Sequence, residues 1–370
     1  MCTWQGVSAL LLALIAAPIG FSAWRDRKGG FDGARPSGGA SKHIVILPAS
    51  IGLLIAVALL SLRCGSLEVT TGDAWRAIFD FNLEIREQIV VRELRAPRTL
   101  IGATAGACLA VAGSLTQGVT RNPLGAPGIL GINAGASFAI VTAIFLAGVV
   151  SPLGYVWFAF VGAAGAAMLV YSIASVGRGG ASPVKLALSG AIVTALLFAW
   201  TTSLLLLDQE TLDQARFWLA GSIAGRRTEE LQLLFPLIAI ALVVALFMGR
   251  QINLMSLGDD VAAGLGQRTG VVRGAAGLVV VILAGSAVAI AGPVGFVGLA
   301  VPHMVRAIVG PDYRWITLYS LILGPCLLLG ADIIGRIVVR PSELQVGIVT
   351  AAVGAPFLIY LVRFTKLSEL

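Results

Sequence analysis

Leu100-Ile-Gly-Ala-Thr-Ala-Gly-Ala-Cys-Leu-Ala-Val-Ala-Gly-Ser-Leu-Thr-Gln-Gly118 runs for about five helical turns without a charged residue. A run of that length spans the hydrocarbon core of a bilayer as a helix. Its alanines and glycines let neighbouring helices approach closely, as membrane bundles require. Part of it returns later in the chain. Ala105-Gly-Ala-Cys-Leu-Ala-Val-Ala-Gly113 matches Ala284-Gly-Ser-Ala-Val-Ala-Ile-Ala-Gly292 at five of nine positions.

Working outward, apolar runs at 45–62, 98–118, 128–149, 154–176, 184–207, 231–249, 274–292, 295–310, 315–336 and 345–363 predict ten spans. The eighth is short enough to be partly re-entrant. The two repeat segments fall on the second and seventh spans, which point in opposite directions if the chain alternates sides. That predicts an inverted-topology repeat, common in transporters. The expected fold is an all-α integral membrane protein of about ten transmembrane helices with inverted-repeat character, plus an extra N-terminal helix.

Composition agrees. Of 370 residues, 57% are hydrophobic and only 12% charged, against roughly 25% charged in a soluble protein. Mean hydropathy is +0.92. There is too little charge to cover a soluble surface, which excludes a soluble enzyme, a disordered regulator and a nucleic-acid binder. The net charge of +7 belongs instead to loops that stay in the cytoplasm. Arg25, Arg27, Lys28, Arg35 and Lys42 place the linker before the first span inside. Alternation then puts 15 Lys/Arg inside and 11 outside, six of the latter in the stretch 63–98, which also carries six acids.

The apolar run Val7–Trp24 has no Lys or Arg before it, unlike a signal peptide. It is expected to be an uncleaved extra helix, followed by a flexible basic linker at 25–43. The chain thus divides into an extension, residues 1–44, and a membrane domain, residues 45–370.

No Gly-Lys dipeptide occurs, so no P-loop cradles a nucleotide. Two histidines, His43 and His303, and no Gly-x-Ser-x-Gly leave no catalytic residue and no metal site to expect. The one acid well inside a span is Asp332, a thin basis for ion coupling. Energy is therefore expected from a separate ATPase, which needs a docking surface.

Residues 250–273 offer one. Ser256-Leu-Gly-Asp259 has the pattern of a capping box. Leu257, Val261 and Leu265 follow at i, i+4 and i+8, and Gly264 or Gly266 ends the turn. Such a short amphipathic helix either covers the cytoplasmic end of the bundle or plugs into a groove on a partner.

The stretch Leu254-Met-Ser-Leu-Gly-Asp-Asp-Val-Ala-Ala-Gly-Leu-Gly266 resembles the coupling-helix region of permeases from the ABC importer family for iron-siderophores, haem and vitamin B12. The resemblance runs in order through Arg95-Ala-Pro-Arg-Thr-Leu100, Gln117, Arg121-Asn-Pro-Leu-Gly-Ala-Pro127, Leu130-Gly131, Trp218-Leu-Ala-Gly-Ser222, Gly292-Pro-Val-Gly-Phe-Val-Gly-Leu299, Pro302-His303, Arg306, Ala331-Asp332, Arg336, Glu343, Gly347 and Gly354-Ala-Pro-Phe357. Departures are the long N-terminal extension, Ser256, and Gln345, where the family often has proline.

The resemblance implies a permease subunit in the bacterial cytoplasmic (inner) membrane, paired with a second copy or a paralogue. It also implies a cytoplasmic ABC ATPase dimer, which would hold the ATP and Mg, and an external substrate-binding protein. This chain itself would bind no cofactor and no nucleic acid. Leu254, Ser256, Leu257, Gly258, Asp259, Val261 and Leu265 would couple to the ATPase. Arg95, Arg98 and Arg336 would meet acidic groups of the binding protein, for which guanidinium groups are suited; the bland alternatives are snorkelling to headgroups and, for Arg336, pairing with Asp332 at i+4. In the family the fifth and tenth helices line the pathway, which makes Ser189, Thr194, Thr201 and Thr202, with Trp218 and Gly221, pathway candidates. The substrate would be a ferric-siderophore-type iron chelate, with haem or vitamin B12 as alternatives.

Overall fold

The computed structural model describes residues 39–364 apart from 66, 68, 150, 178–181 and 341. The expected helix Val7–Trp24 and the linker up to residue 38 lie outside the described residues.

The first span is α1 (Gly39–Arg63). A short amphipathic α2 (Thr71–Phe79), capped by the Thr70 hydroxyl, follows. Then α3 (Arg86–Ile89), a π-helical turn (Val90–Arg95) and α4 (Ala96–Thr120) form one continuous helical line. A 3₁₀ turn (Pro127–Leu130) leads through Gly131, at φ +72°, into α5 (Ile132–Ala147). Next come α6 (Pro152–Ser175) and α7 (Pro183–Leu207), each opened by a serine cap and a first-turn proline. A short α8 (Gln209–Leu219) and the sixth span, α9 (Thr228–Phe247), follow. The loop beyond holds α10 (Gly249–Ser256) and α11 (Asp259–Gly264). The last four spans are α12 (Thr269–Ala291), α13 (Val297–Val309), α14 (Tyr313–Val338) and α15 (Val346–Phe364).

Among the described residues seven helices are long and apolar enough to cross a membrane, and three shorter apolar ones are α5, α13 and α15. Each of the ten expected spans therefore has its helix. The third differs in form. The expected 128–149 begins as a 3₁₀ turn, because Pro127 and the left-handed Gly131 stop an α-helix from starting earlier. The short eighth span is α13.

Packing follows side-chain size. The central helix is α4, lined by α14, α12 and α13, and it buries nearly every residue from Ala105 to Gly118. Its glycines let backbones touch. A Cβ on Gly113 would lie 1.8 Å from the Gly298 carbonyl oxygen, and one on Gly106 would lie 2.6 Å from that of Gly324. By contrast α1, α6, α7 and α9 leave most of their apolar residues outside, as lipid-facing helices do.

The sequence repeat has a three-dimensional counterpart. When α4–α7 are matched with α12–α15, neighbours in one half have mates in the other. α5 packs on α6 as α13 does on α14, α6 on α7 as α14 on α15, and α4 on α14 as α12 on α6. Gly106 and Gly285, equivalent in the repeat, both face that last partner. Their fits are unequal: the nearest neighbours of a Cβ on Gly285 are Ala163 and Phe160, at an ordinary 3.5 Å.

Candidate functional site

Loops expected on one side of the membrane meet in space, and each end of the bundle carries a charged cluster. At one end Asp259 opens α11. Arg273 of α12 donates to both its oxygens at 2.9 and 3.0 Å. Arg121, the left-handed C-cap of α4, approaches Asp259 at 3.6 Å. Nearby, Asn253 of α10 donates to Asp312 at 2.7 Å and accepts the backbone N–H of Tyr313. Burial pushes the Asp312 carboxyl up, but the Arg314 side chain, the Asn253 amide and the Arg314 backbone N–H together outweigh it and hold the group down at about 2. Gly249 lies flush against the backbone of Arg314, and Gly118 against Ile252 and Tyr313. The loop 249–266 is thus fastened to α4, α12 and α14.

Its apolar stripe is not used for that fastening. Leu257, Val261 and Leu265 are 61%, 50% and 62% exposed, while Ala262 on the opposite face is fully buried. Of the two readings left open by sequence, covering the bundle therefore fails: the stripe faces away from it. The capping box also needs correction. Gly258, at φ +113°, breaks the segment into two helices, and Ser256, the last residue of α10, donates to the Asn253 carbonyl instead of receiving an amide. Asp259 is drawn off by its two arginines.

At the other end the three arginines expected to meet a binding protein converge on internal partners. Arg95 donates to the carbonyls of Leu62, Arg63 and Leu67, satisfying the open C-terminal end of α1. Arg336 donates to the carbonyls of Ser61 and Cys64, the Ser61 hydroxyl and Asp332. Arg98 bonds both Asp332 and Glu343. The docking expectation is corrected for Arg95 and Arg336, which are buried at 5% and 2% exposure; sequence could not separate an arginine that caps a helix from one that waits for a partner. Arg98 stays at the rim with Glu343.

Three motifs close on each other at this same end. The backbone N–H of Gly347 donates to the Gly221 carbonyl at 3.0 Å, and Gly292 abuts the carbonyl of Trp218. Gly221 and buried Trp218 therefore serve a junction between α8, α12 and α15. Phe296, a non-glycine residue at φ +66°, lies against Gly354, and His303 meets the ring of Phe357 edge-on. Of the α7 hydroxyls, Ser189 and Thr201 are buried on its packed face, and Thr201 donates to its own Leu197 carbonyl. Thr194 sits beside Gly131; Thr202 is half-buried.

The residues that sequence reading missed are Arg273, Asn253 and Asp312. Their signal was opposite charge or amide partners in loops assigned to one side.

An all-α bundle whose two halves share the same pattern of helix neighbours, with exposed apolar residues in a charged loop cluster at one end, has the build of a multi-pass membrane protein. The chain belongs to the FecCD transport family, which matches residues 53–364, and with it to the permeases of type II ABC importers. It is 44% identical over 88% of its length and 97% of the relative to the "Probable siderophore transport system permease protein YfiZ" of Bacillus subtilis. To the ferric enterobactin transport system permease FepD of Escherichia coli it is 43% identical, over 88% of this chain and 96% of that one. A solved inward-facing metal-chelate-type ABC transporter superposes with a TM-score of 0.75 at 29% identity, covering 86% of this chain and 98% of the other.

Proposed function

We propose that the chain is the transmembrane subunit of an ATP-driven importer that carries a ferric-siderophore-type iron chelate across the bacterial cytoplasmic membrane by alternating access. ATP and Mg reside on a partner ATPase dimer, and a second permease copy or paralogue completes the pathway. A binding protein delivers substrate at the Arg98–Glu343 rim.

The observation that carries this reading is the exposed apolar trio Leu257, Val261 and Leu265, on and flanking α11, whose first residue Asp259 is held by Arg121 and Arg273. An exposed apolar face of that size suits insertion into a groove on a soluble partner. Pinning lets a push on α11 reach α4 and α12 directly. The relatives' names support the cargo. Asp332 speaks against gradient coupling, because it is fully buried and its carboxylate is held by two arginines.

The test is reconstitution in proteoliposomes with the co-purifying ATPase and binding protein. Uptake of a radio-iron siderophore is expected only with ATP inside or on the ATPase face. Full uptake by this chain alone on a proton gradient would sink the proposal.

A further inference from the structure

The unequal halves of the repeat leave a groove. Where α4 closes on α14 at backbone distance, α12 meets α6 through side chains at an ordinary 3.5 Å, and toward the Asp259 end the two part around a cavity of about 480 Å³. Its walls are Leu115 and Val119 of α4, Ala167 and Met168 of α6, and Gly277 and Leu278 of α12. The hydroxyls of Thr116, Thr120 and Ser172 in it all donate back to their own helices, so the walls present almost nothing polar to a guest. Met168 and Leu278 are more than 60% exposed, so the groove opens sideways on the outer face of this chain. Cβ atoms added at Gly274 and Gly277 would meet nothing within 4 Å.

The rim differs. Arg273 lines the mouth, and Arg121 follows Thr120 by one residue. Both lean on the one carboxylate of Asp259, at 2.9 and 3.6 Å. Two guanidiniums thus share the Asp259 carboxylate at the mouth of the groove, and basic pockets between membrane helices take anionic headgroups. We infer that this groove binds an anionic phospholipid, one acyl chain between α4, α6 and α12 and its phosphate at Arg121 and Arg273. A lipid seated there props α12 apart from α6 beside the anchor of α11. The inference rests on the chain's being a membrane bundle, not on what it transports.

Native mass spectrometry of the full chain purified in mild detergent, titrated with phosphatidylglycerol or phosphatidylcholine, tests it. Phosphatidylglycerol is expected to bind about fivefold or more tightly than phosphatidylcholine, roughly the effect of one arginine near a headgroup. Arg121→Gln should bring the two lipids level. Gly277→Leu should cut phosphatidylglycerol binding at least about fivefold by filling the groove, without lowering the melting temperature, since the site is open and leucine favours a helix. Gly274→Leu is a second filling variant at an equally open position. Equal binding of the two lipids, a preference that survives Arg121→Gln, undiminished binding in both filling variants, or displacement by millimolar inorganic phosphate would each overturn the inference.

Discussion

Arg98 grips both carboxylate oxygens of Asp332, Nη2 to Oδ1 at 2.7 Å and Nε to Oδ2 at 3.2 Å, and so ties α4 to α14 across 234 residues of chain. The opposite side of the same carboxylate receives Arg336. A buried acid shared by two arginines is a structural element, and removing its charge strands buried Arg336 and leaves Arg98 with Glu343 alone. Asp332→Asn is expected to cost about 3–5 kcal/mol of stability, the usual penalty for breaking a buried pair. Thermal unfolding in detergent should show the loss, together with low yield. A variant of normal stability with altered ion dependence of transport would contradict this.

The exposed apolar residues on and around α11 give a prediction with the opposite signature. Leu257, Val261 and Leu265 touch little in this chain, so Val261→Asp should leave the melting temperature within about 1–2 °C of wild type. Burying a side chain of this size in a partner's groove is worth about 1.5–3 kcal/mol. Co-purification of the ATPase should therefore weaken at least about tenfold. Equal recovery of ATPase with Val261→Asp and Leu257→Asp would dismiss the stripe as its seat.

The repeat-related glycines should respond differently to the same change. In Gly106→Ala the new methyl meets the Gly324 backbone at 2.6 Å, where nothing can rotate away. A loss of about 1–3 kcal/mol is expected. In Gly285→Ala the neighbours stand 3.5 Å off, and alanine gains up to about 1 kcal/mol in helix propensity. Unfolding midpoints of the two variants measure the difference directly; a matching loss in both would refute the unequal packing.

Acid should undo the link between α10 and α14. The Asp312 carboxylate is held at about 2, below its usual 3.8, so its protonation is opposed by the fold. A lowered value stabilises the folded form above the ordinary carboxylate range, and that contribution disappears as pH falls from about 4 to about 2. The protection of the Tyr313 amide, which donates to Asn253, measured as exchange relative to its intrinsic rate at each pH, should fall through that window. In Asp312→Asn that fall should vanish.

Much of the fold was legible because lipid imposes a simple rule: length and apolarity name a span, and alternation gives each loop its side. The repeat was visible for a related reason. Ala105–Gly113 and Ala284–Gly292 are both buried at helix crossings, and crossings restrict residues to small ones. The site was legible only in part. The spacing of Leu257, Val261 and Leu265 marked out the apolar residues but not their exposure, which depends on what the fold packs against them. The uses of Arg95 and Arg336 were not legible, because their carbonyl partners in α1 are some thirty and 275 residues away. The capping pattern at Ser256 misled because Gly258 at φ +113° is a choice among conformations that glycine leaves open.

The contact of Gly106 with Gly324 has a mechanical consequence. Where two helices meet through side chains, they can slide by exchanging rotamers. Where they meet through backbone, no such exchange exists, and the pair translates as one body. α4 and α14 together thus act as a stator, clamped by Arg98 and Asp332 at one end and by Gly118 and Tyr313 toward the other. Between α12 and α6, by contrast, Gly285 meets only side chains, so rotamer exchange leaves room for sliding there.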